Sequence, residues 1–356
     1  MRTIVILGAG FSKNSGLPVQ IEIPALLIKE SGKDNFESAV SGVLRRFMEE
    51  LFCYGGEIYP QLDDLLTCID ISISSGHHLG IKYSIDHLWA IKRFLVYRVF
   101  SILEGSFRYS SDIDRLVRFF VEERFKDTGF LVLNWDTVLE RYIAGINPDI
   151  AVDYCNNGRN LNGDRDNTGK KKIKIIKVHG LSNWLYCNNC RTLLNDTDCS
   201  IRPIGKAGFR KEDFELFDEM KGVINKNELS KGTACNICQD NVSAHIATQC
   251  YRKPFRKNTF PLVWGEAEKM LTDSQKWVFI GYSLPQADYE FKHLLKISEH
   301  KLAHKKSKGL SIDVVLLHSN NTIMKYKSFF GDRIERVFNG GIDEYINYLS
   351  FFNKKS

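Results

Sequence analysis

The sequence predicts an α/β protein in which a Rossmann-like parallel sheet carries a helical insertion and a small zinc-binding module. Three observations predict it. Short β-branched and apolar runs recur at Thr3 to Leu7, Phe130 to Leu133, Ile173 to Val178, Trp277 to Ile280, Ile312 to Leu317 and Ile334 to Phe338. Each has the length of a buried strand, and helical patterns lie between them, as in a parallel sheet covered on both faces. Apolar positions recur at spacings of three and four from about Ile23 to Lys126, and two Cys-x-x-Cys pairs stand at Cys187/Cys190 and Cys235/Cys238. The sheet domain is accordingly assembled from residues 1–22, 129–184 and 258–356, with the helical insertion at 23–128 and the metal module at 185–257.

Taken in order, the first strand ends in glycines, as a buried parallel strand feeding a tight turn should. Two helical stripes follow, Val43-Leu44-Phe47-Met48-Leu51 and Leu88-Ile91-Leu95-Val99-Ile102. The α/β alternation resumes with Phe130 to Leu133 and a short helix from Thr137 to Ala144. Cys155 to Lys172 is rich in Asn, Gly and Asp and reads as a loop. Lys170, Lys171 and Lys172, with Lys174 and Lys177, enter the next strand and suggest an exposed basic edge. From Asn183 to Lys257 periodicity is weak, and a stretch such as Ile201 to Lys231 is expected to loop out between the cysteine pairs. A final short helix lies around Ile342 to Phe352.

Composition narrows the function. The chain has 356 residues, 43% of them hydrophobic, which is ample for a core without disulfides. A net charge of +6 spread along the chain does not make a dedicated nucleic-acid face, so direct nucleic-acid binding is not expected. No apolar run is long enough to cross a bilayer. Met1-Arg2-Thr3 runs straight into a strand with no signal-peptide pattern, so a cytoplasmic protein is expected. Nine cysteines, four of them in pairs, point to metal rather than disulfides. Two thiolate pairs are the tetrahedral set of a structural zinc with no open position for catalysis. Cys199, Cys250 and His245 are substitute ligands, whereas His300 and His304 share a helix face without a third ligand and read as solvated.

The polar groups that could do chemistry stand at the carboxyl ends of strands, where open α/β sheets bind ligands. Gly8-Ala9-Gly10-Phe11-Ser12-Lys13-Asn14-Ser15-Gly16-Leu17-Pro18 follows the first strand, and its glycines would let backbone N–H groups approach a pyrophosphate. The bland alternative is an ordinary glycine turn, since the third glycine is not where the common dinucleotide fingerprint puts it. Asn134 and Asp136 follow the second strand. Asn can orient a water or a ribose hydroxyl, while Asp136 could equally cap the helix at Thr137. His179 precedes Gly180, and its imidazole could take a proton near neutrality. Gly281-Tyr282-Ser283-Leu284-Pro285, with Asp288, would lie beside the first glycine loop.

In that order, these segments and the Cys-x-x-Cys beyond His179-Gly180 resemble the sirtuin pattern. Pro261 to Glu266 is similar to the sirtuin segment ahead of the Gly-x-Ser loop, and His318-Ser319-Asn320 falls where sirtuins hold the adenosine end. Two departures stand out. Sirtuins continue the first loop with Pro-Asp-Phe-Arg where this chain has Pro18-Val19-Gln20-Ile21, and their Thr-Gln-Asn-x-Asp is here Val132-Leu133-Asn134-Trp135-Asp136. Gly-Leu-Pro, Asn-Trp-Asp and Gly-Tyr-Ser-Leu-Pro followed by Asp are more similar to the sirtuin-like NADases of bacterial antiphage defence.

That resemblance implies an NAD hydrolase, with NAD as substrate and a structural zinc. Asn134 would serve the ribose and water, His179 proton removal and Asp136 support. Gly8, Ala9, Gly10, Phe11, Ser12, Ser15, Gly281, Tyr282, Ser283, Asp288 and Ser319 would form the NAD pocket. A homo-oligomer is expected, with an ATPase or sensor protein as partner. The rivals are an NAD-dependent protein-lysine deacylase, which the missing Asp-Phe-Arg disfavours, and a non-catalytic nucleotide-binding scaffold subunit.

Overall fold

The apolar runs pair side by side in one seven-stranded parallel sheet. It is built from β1 (Thr3–Leu7), β2 (Thr128–Val132), β3 (Ile150–Asp153), β5 (Lys171–Lys177), β9 (Lys276–Ile280), β10 (Ser311–Val315) and β11 (Ile334–Phe338). The order across the sheet is β11-β10-β9-β1-β2-β5-β3. These positions come from a computed structural model of the chain, which describes residues 2–29, 35–163, 170–223, 232–246, 259–305 and 309–353. Cys250, a substitute metal ligand on sequence grounds, lies outside the described residues.

The period-two alternation of each strand divides the core in two. Val5, Leu7, Phe130, Val132, Ile173, Ile175, Val278 and Ile280 point to one face, and Ile4, Ile6, Leu131, Ile176, Trp277 and Phe279 to the other. The first face is covered by α2 (Ile23–Leu27), α3 (Asn35–Phe52), α4 (Leu62–Ser75), α5 (Ile85–Ser106), α6 (Ser111–Arg118), α7 (Val138–Ile146) and the terminal α12 (Gly341–Asn353). Both expected helical stripes are buried in it, apart from half-buried Leu51. The second face carries α9 (Thr259–Thr272), α10 (Tyr289–Lys305) and α11 (Asn320–Phe330). Arg98, almost fully buried, closes α2 by donating to the carbonyls of Leu26, Leu27 and Lys29. It thereby satisfies acceptors that the helix end leaves over.

Because β2 lies on one side of β1 and β9 on the other, the winding reverses between β1 and β9. That switch point is where a crevice opens at the carboxyl ends of the strands.

The structure corrects the sequence reading in three places. β3, just beyond Pro148, is an unanticipated edge strand, so β5 is flanked on both sides by β2 and β3. The basic run is therefore not an edge, and Lys177 is fully buried. The cysteine region is more regular than its weak periodicity suggests. β4 (Arg159–Asn160), β6 (Gly180–Cys187), β7 (Leu193–Asn195) and β8 (Val242–Ile246) form a second, four-stranded sheet. Finally, the described part of the stretch beginning at Ile201 does not loop out. Around the short helix α8 (Pro203–Ala207), Ile201, Ala207, Phe209, Phe214, Phe217 and Met220 are buried against the helical layer, with Phe209 and Phe214 packed around Phe36 and Phe94.

Candidate functional site

At the switch point the loops after β1 and β9 are in backbone contact. Gly8 N–H donates to the Ile280 carbonyl at 3.0 Å and Gly10 N–H to the Gly281 carbonyl at 2.8 Å. A Cβ on Gly8 would sit 2.6 Å from Gly281 O, and one on Gly10 2.8 Å from Gly281 Cα. Gly281 has φ of +64°, and its Cβ would fall 2.2 Å from Phe11 N. These glycines are therefore required first by loop-on-loop packing, and two of the N–H groups expected for phosphate are already spent within the protein.

Side chains of the first loop divide by direction. Phe11 of α1 (Ala9–Lys13) is buried in the core and Ser15 shares a hydrogen bond with Tyr142 Oη at 2.9 Å, so both hold the loop down instead of facing a ligand. Ala9 and Gly10 are half-buried at the turn. Ser12 Oγ accepts from Asn134 Nδ2 at 2.9 Å, and the same nitrogen donates to the Gly8 carbonyl at 3.0 Å. A carbonyl can only accept, so the facing atom of Asn134 must be its nitrogen. Oδ1 is left as the end that Asn134 offers a bound hydroxyl or water.

Asp136 takes the capping role. Its Oδ1 accepts from Val138 N–H at 3.0 Å at the start of α7, and its carbonyl accepts from Lys177 Nζ at 2.6 Å. Lys177 also pairs with Glu140 Oε1 at 3.2 Å, with both side chains buried. Burial pushes the Glu140 carboxyl up while Lys177 pulls it back. This pair, invisible in a lysine-rich run, fixes the turn that presents Asn134.

His179 is fully buried. Its Nδ1 lies 3.2 Å from the Leu133 carbonyl and its Nε2 3.3 Å from Asp288 Oδ1. The other Asp288 oxygen accepts from Tyr282 Oη at 2.9 Å. Burial, and then the Asp288 carboxylate, hold the Tyr282 phenol well above its usual range, so it donates. Tyr282 and Asp288, expected in the NAD pocket, thus turn inward to His179. Ser283 is exposed at the loop tip. Ser319 Oγ is bonded to Thr322 Oγ1 at 2.8 Å at the start of α11.

The four sequence segments are therefore joined hand to hand: Gly10 to Gly281, Gly8 to Asn134, Leu133 to His179, and His179 to Asp288. A cleft of about 840 Å³ elsewhere, between α4, α5, α8 and β8, is lined by none of these residues.

In the second sheet Cys187 ends β6, and the sulfurs of Cys187, Cys190, Cys235 and Cys238 all lie within 4.8 Å of one another. Cys187 and Cys238 approach to 3.4 Å and Cys190 and Cys235 to 3.5 Å. A tetrahedral zinc with sulfurs at about 2.3 Å needs them about 3.8 Å apart, so the set fits that ion. The Thr192 hydroxyl beside Cys190 draws its thiol down to about 6, toward the thiolate a metal takes. Cys199, a substitute candidate, is outside this cluster; its carbonyl serves Thr137 and Arg141 instead. His245 is stacked between Tyr186 and Phe260.

Among solved structures, the chain is similar to sirtuins. One is a Sir2–p53 peptide–NAD+ complex, at 15% identity and TM-score 0.46, covering 100% of this chain and 94% of that one. Another is a Sir2 homolog–NAD complex at 13% identity and TM-score 0.46, covering 99% of this chain and 90% of the other. A third is a Sir2 homologue bound to 2'-O-acetyl ADP ribose at 13% identity and TM-score 0.45, covering 99% and 92% respectively. No protein-family model and no curated protein matches the sequence. No described helix is long and apolar enough to cross a membrane.

Proposed function

We propose that the chain binds NAD at the β1/β9 switch point and hydrolyses its nicotinamide glycosidic bond, releasing nicotinamide and ADP-ribose. The observation that carries this reading is the closed run of contacts among the four loops, which brings Asn134 and His179 together where an open α/β sheet takes its ligand. The resemblance of those same segments to sirtuin-like NADases supplies the substrate.

Nicotinamide leaves a cationic glycosidic bond as a neutral molecule, so the site needs no strong acid. It needs to support an oxocarbenium-like transition state and to place a nucleophile. Asn134 Oδ1 accepts from the ribose hydroxyl or the attacking water, because its nitrogen is committed to Gly8 and Ser12. His179 takes the proton. Asp136 acts at one remove, by capping α7 and keeping the Asn134 turn in register. The exposed Ser283 hydroxyl and the half-buried turn at Ala9 and Gly10 are the groups the two loops offer to phosphates. A zinc held by Cys187, Cys190, Cys235 and Cys238 would pin β6 to the turn before β8, and four thiolates leave it no position for chemistry.

The biological role this suggests is antiphage defence through NAD depletion, in an assembly with copies of itself or an ATPase or sensor partner. Purified protein incubated with NAD, with and without an acetyl-lysine peptide, tests the chemistry. Nicotinamide and ADP-ribose formed without peptide are expected. Strict dependence on the peptide, with O-acyl-ADP-ribose as product, would replace this reading with a deacylase.

A further inference from the structure

We propose that Asp288, held by Tyr282, is the positioning residue that orients His179 and stabilises the imidazolium formed when the ring takes a proton. The inference rests on the reading of His179 as the proton acceptor.

Three buried side chains form one line: Tyr282 Oη to Asp288 Oδ2 at 2.9 Å, and Asp288 Oδ1 to His179 Nε2 at 3.3 Å. They are respectively 4%, 2% and 0% exposed. Beyond the ring, Nδ1 lies 3.2 Å from the Leu133 carbonyl, next to Asn134. Both ring nitrogens thus face acceptors. A neutral ring can satisfy only one of them by donation, and a ring protonated on both nitrogens satisfies both.

The surroundings are therefore complementary to the state His179 reaches after proton removal. In the neutral ring, Nδ1–H donates to the Leu133 carbonyl and Nε2 keeps its lone pair on the side of Asp288. There it takes the proton from the ribose hydroxyl or water. The resulting imidazolium still donates from Nδ1 to the Leu133 carbonyl, and the Asp288 carboxylate beside Nε2 offsets its charge. The O–H bond of the substrate oxygen breaks, the Nε2–H bond forms, and no other reactant is needed.

Preorganised acceptors aimed at a developing charge in a buried site act strongly, because nothing has to reorganise during the reaction. Asp136 does not fill this place, since its carboxylate is turned to Val138 N–H. Tyr282 is in turn anchored by its carbonyl, which accepts from Tyr326 Oη at 2.9 Å. The Gly-Tyr-Ser-Leu-Pro loop therefore contributes to the reaction through its buried Tyr as well as its exposed Ser.

The test compares the whole wild-type chain with Asp288→Asn and Tyr282→Phe. The first removes the charge at constant size; the second removes the hydroxyl that aims the carboxylate and leaves the ring in the core. Steady-state assays on folded Asp288→Asn should show kcat for NAD cleavage down by at least about a hundredfold, with KM changed less than about threefold. Tyr282→Phe should lower kcat by about tenfold with KM again little changed. In parallel, ring 15N spectra of histidine-labelled protein, with the His179 signals assigned by their loss in His179→Gln, should show the Nε2 signal displaced in both variants. Unchanged Nε2 signals, or kcat within about twofold of wild type in either folded variant, would overturn the assignment. Should Asp288→Asn fail to fold, Tyr282→Phe alone decides the matter by the same two readouts. The spectra need no substrate, so a protein that does not cleave NAD overturns the NADase reading while the spectra still decide whether Asp288 holds His179.

Discussion

Asn134 is polarised by its neighbours: its amide nitrogen faces the Gly8 carbonyl and Ser12 Oγ, which leaves only an acceptor for a ligand. Removing that acceptor without disturbing the core is feasible because Asn134 is only half-buried. Asn134→Ala is therefore expected to keep its thermal transition within a few degrees of wild type while losing at least about a hundredfold in kcat, by analogy with deletion of one transition-state hydrogen bond. Chromatography of nicotinamide release checks it, and a folded variant with normal turnover would remove Asn134 from the chemistry. Gly281 is governed by backbone instead. Because its φ is +64° and a Cβ would meet Phe11 N at 2.2 Å, Gly281→Ala should cost about 1–3 kcal/mol in urea unfolding. An unaffected midpoint would show that the two loops are not packed as described. Both residues were legible in the sequence from their places at strand ends. The service of Tyr282 and Asp288 to His179 was not, because it joins residues about a hundred positions apart through side-chain directions that spacing does not encode.

At the scale of elements, strands with strict apolar content declared themselves, while those stabilised by context did not. Thr3 to Leu7 is a strand in the sequence reading and in the structure alike. β3 is four half-buried residues and β7 three buried ones, too short for a periodic signal, and they form because β5 and β6 offer them ladders. Lys177 shows the converse, a charge count misread as an exposed edge. It joins the end of β5 to α7 through Glu140 and the Asp136 carbonyl. Lys177→Met leaves Glu140 buried without its cation, and breaking such a pair costs about 3–5 kcal/mol. Adding Glu140→Leu should restore much of that loss, since an apolar pair carries no uncompensated charge. Urea midpoints of the single and double variants decide it, and a single variant as stable as wild type would show the pair to be dispensable. The zinc module depends on its four sulfurs in the same way. Elemental analysis should find about one zinc per chain, and Cys235→Ser should lower both zinc content and thermal stability. A metal-free wild-type protein of undiminished stability would remove the zinc.

At the scale of the molecule, the helical layer is continuous with the sheet. Val5, Leu7, Phe11, Val132, Val278 and Ile280 belong to the same buried cluster as Val43, Phe47, Leu66, Leu95 and Phe100, and Phe209, Phe214 and Phe217 extend it around Phe36 and Phe94. A hundred-residue stretch that reads as an insertion in the sequence is thus one wall of the core, because covering a parallel sheet on both faces leaves it no separate core of its own. Two consequences can be measured together. Calorimetry should give one cooperative transition for the described domain, with no separate melting of the helical layer, since unfolding that layer would expose the apolar face of β1, β2 and β9. ADP-ribose, which on the proposed reading occupies the switch point without offering a nicotinamide bond to cleave, should raise that single transition. At a hundred times its dissociation constant the stabilisation is about 2.7 kcal/mol. The ligand shift should reach the helical layer because the first loop is fixed to it through Phe11 and through Ser15 and Tyr142. Two transitions, of which ADP-ribose moves only one, would show that the helical layer and the sheet fold independently and that the loops at the switch point are not coupled to both.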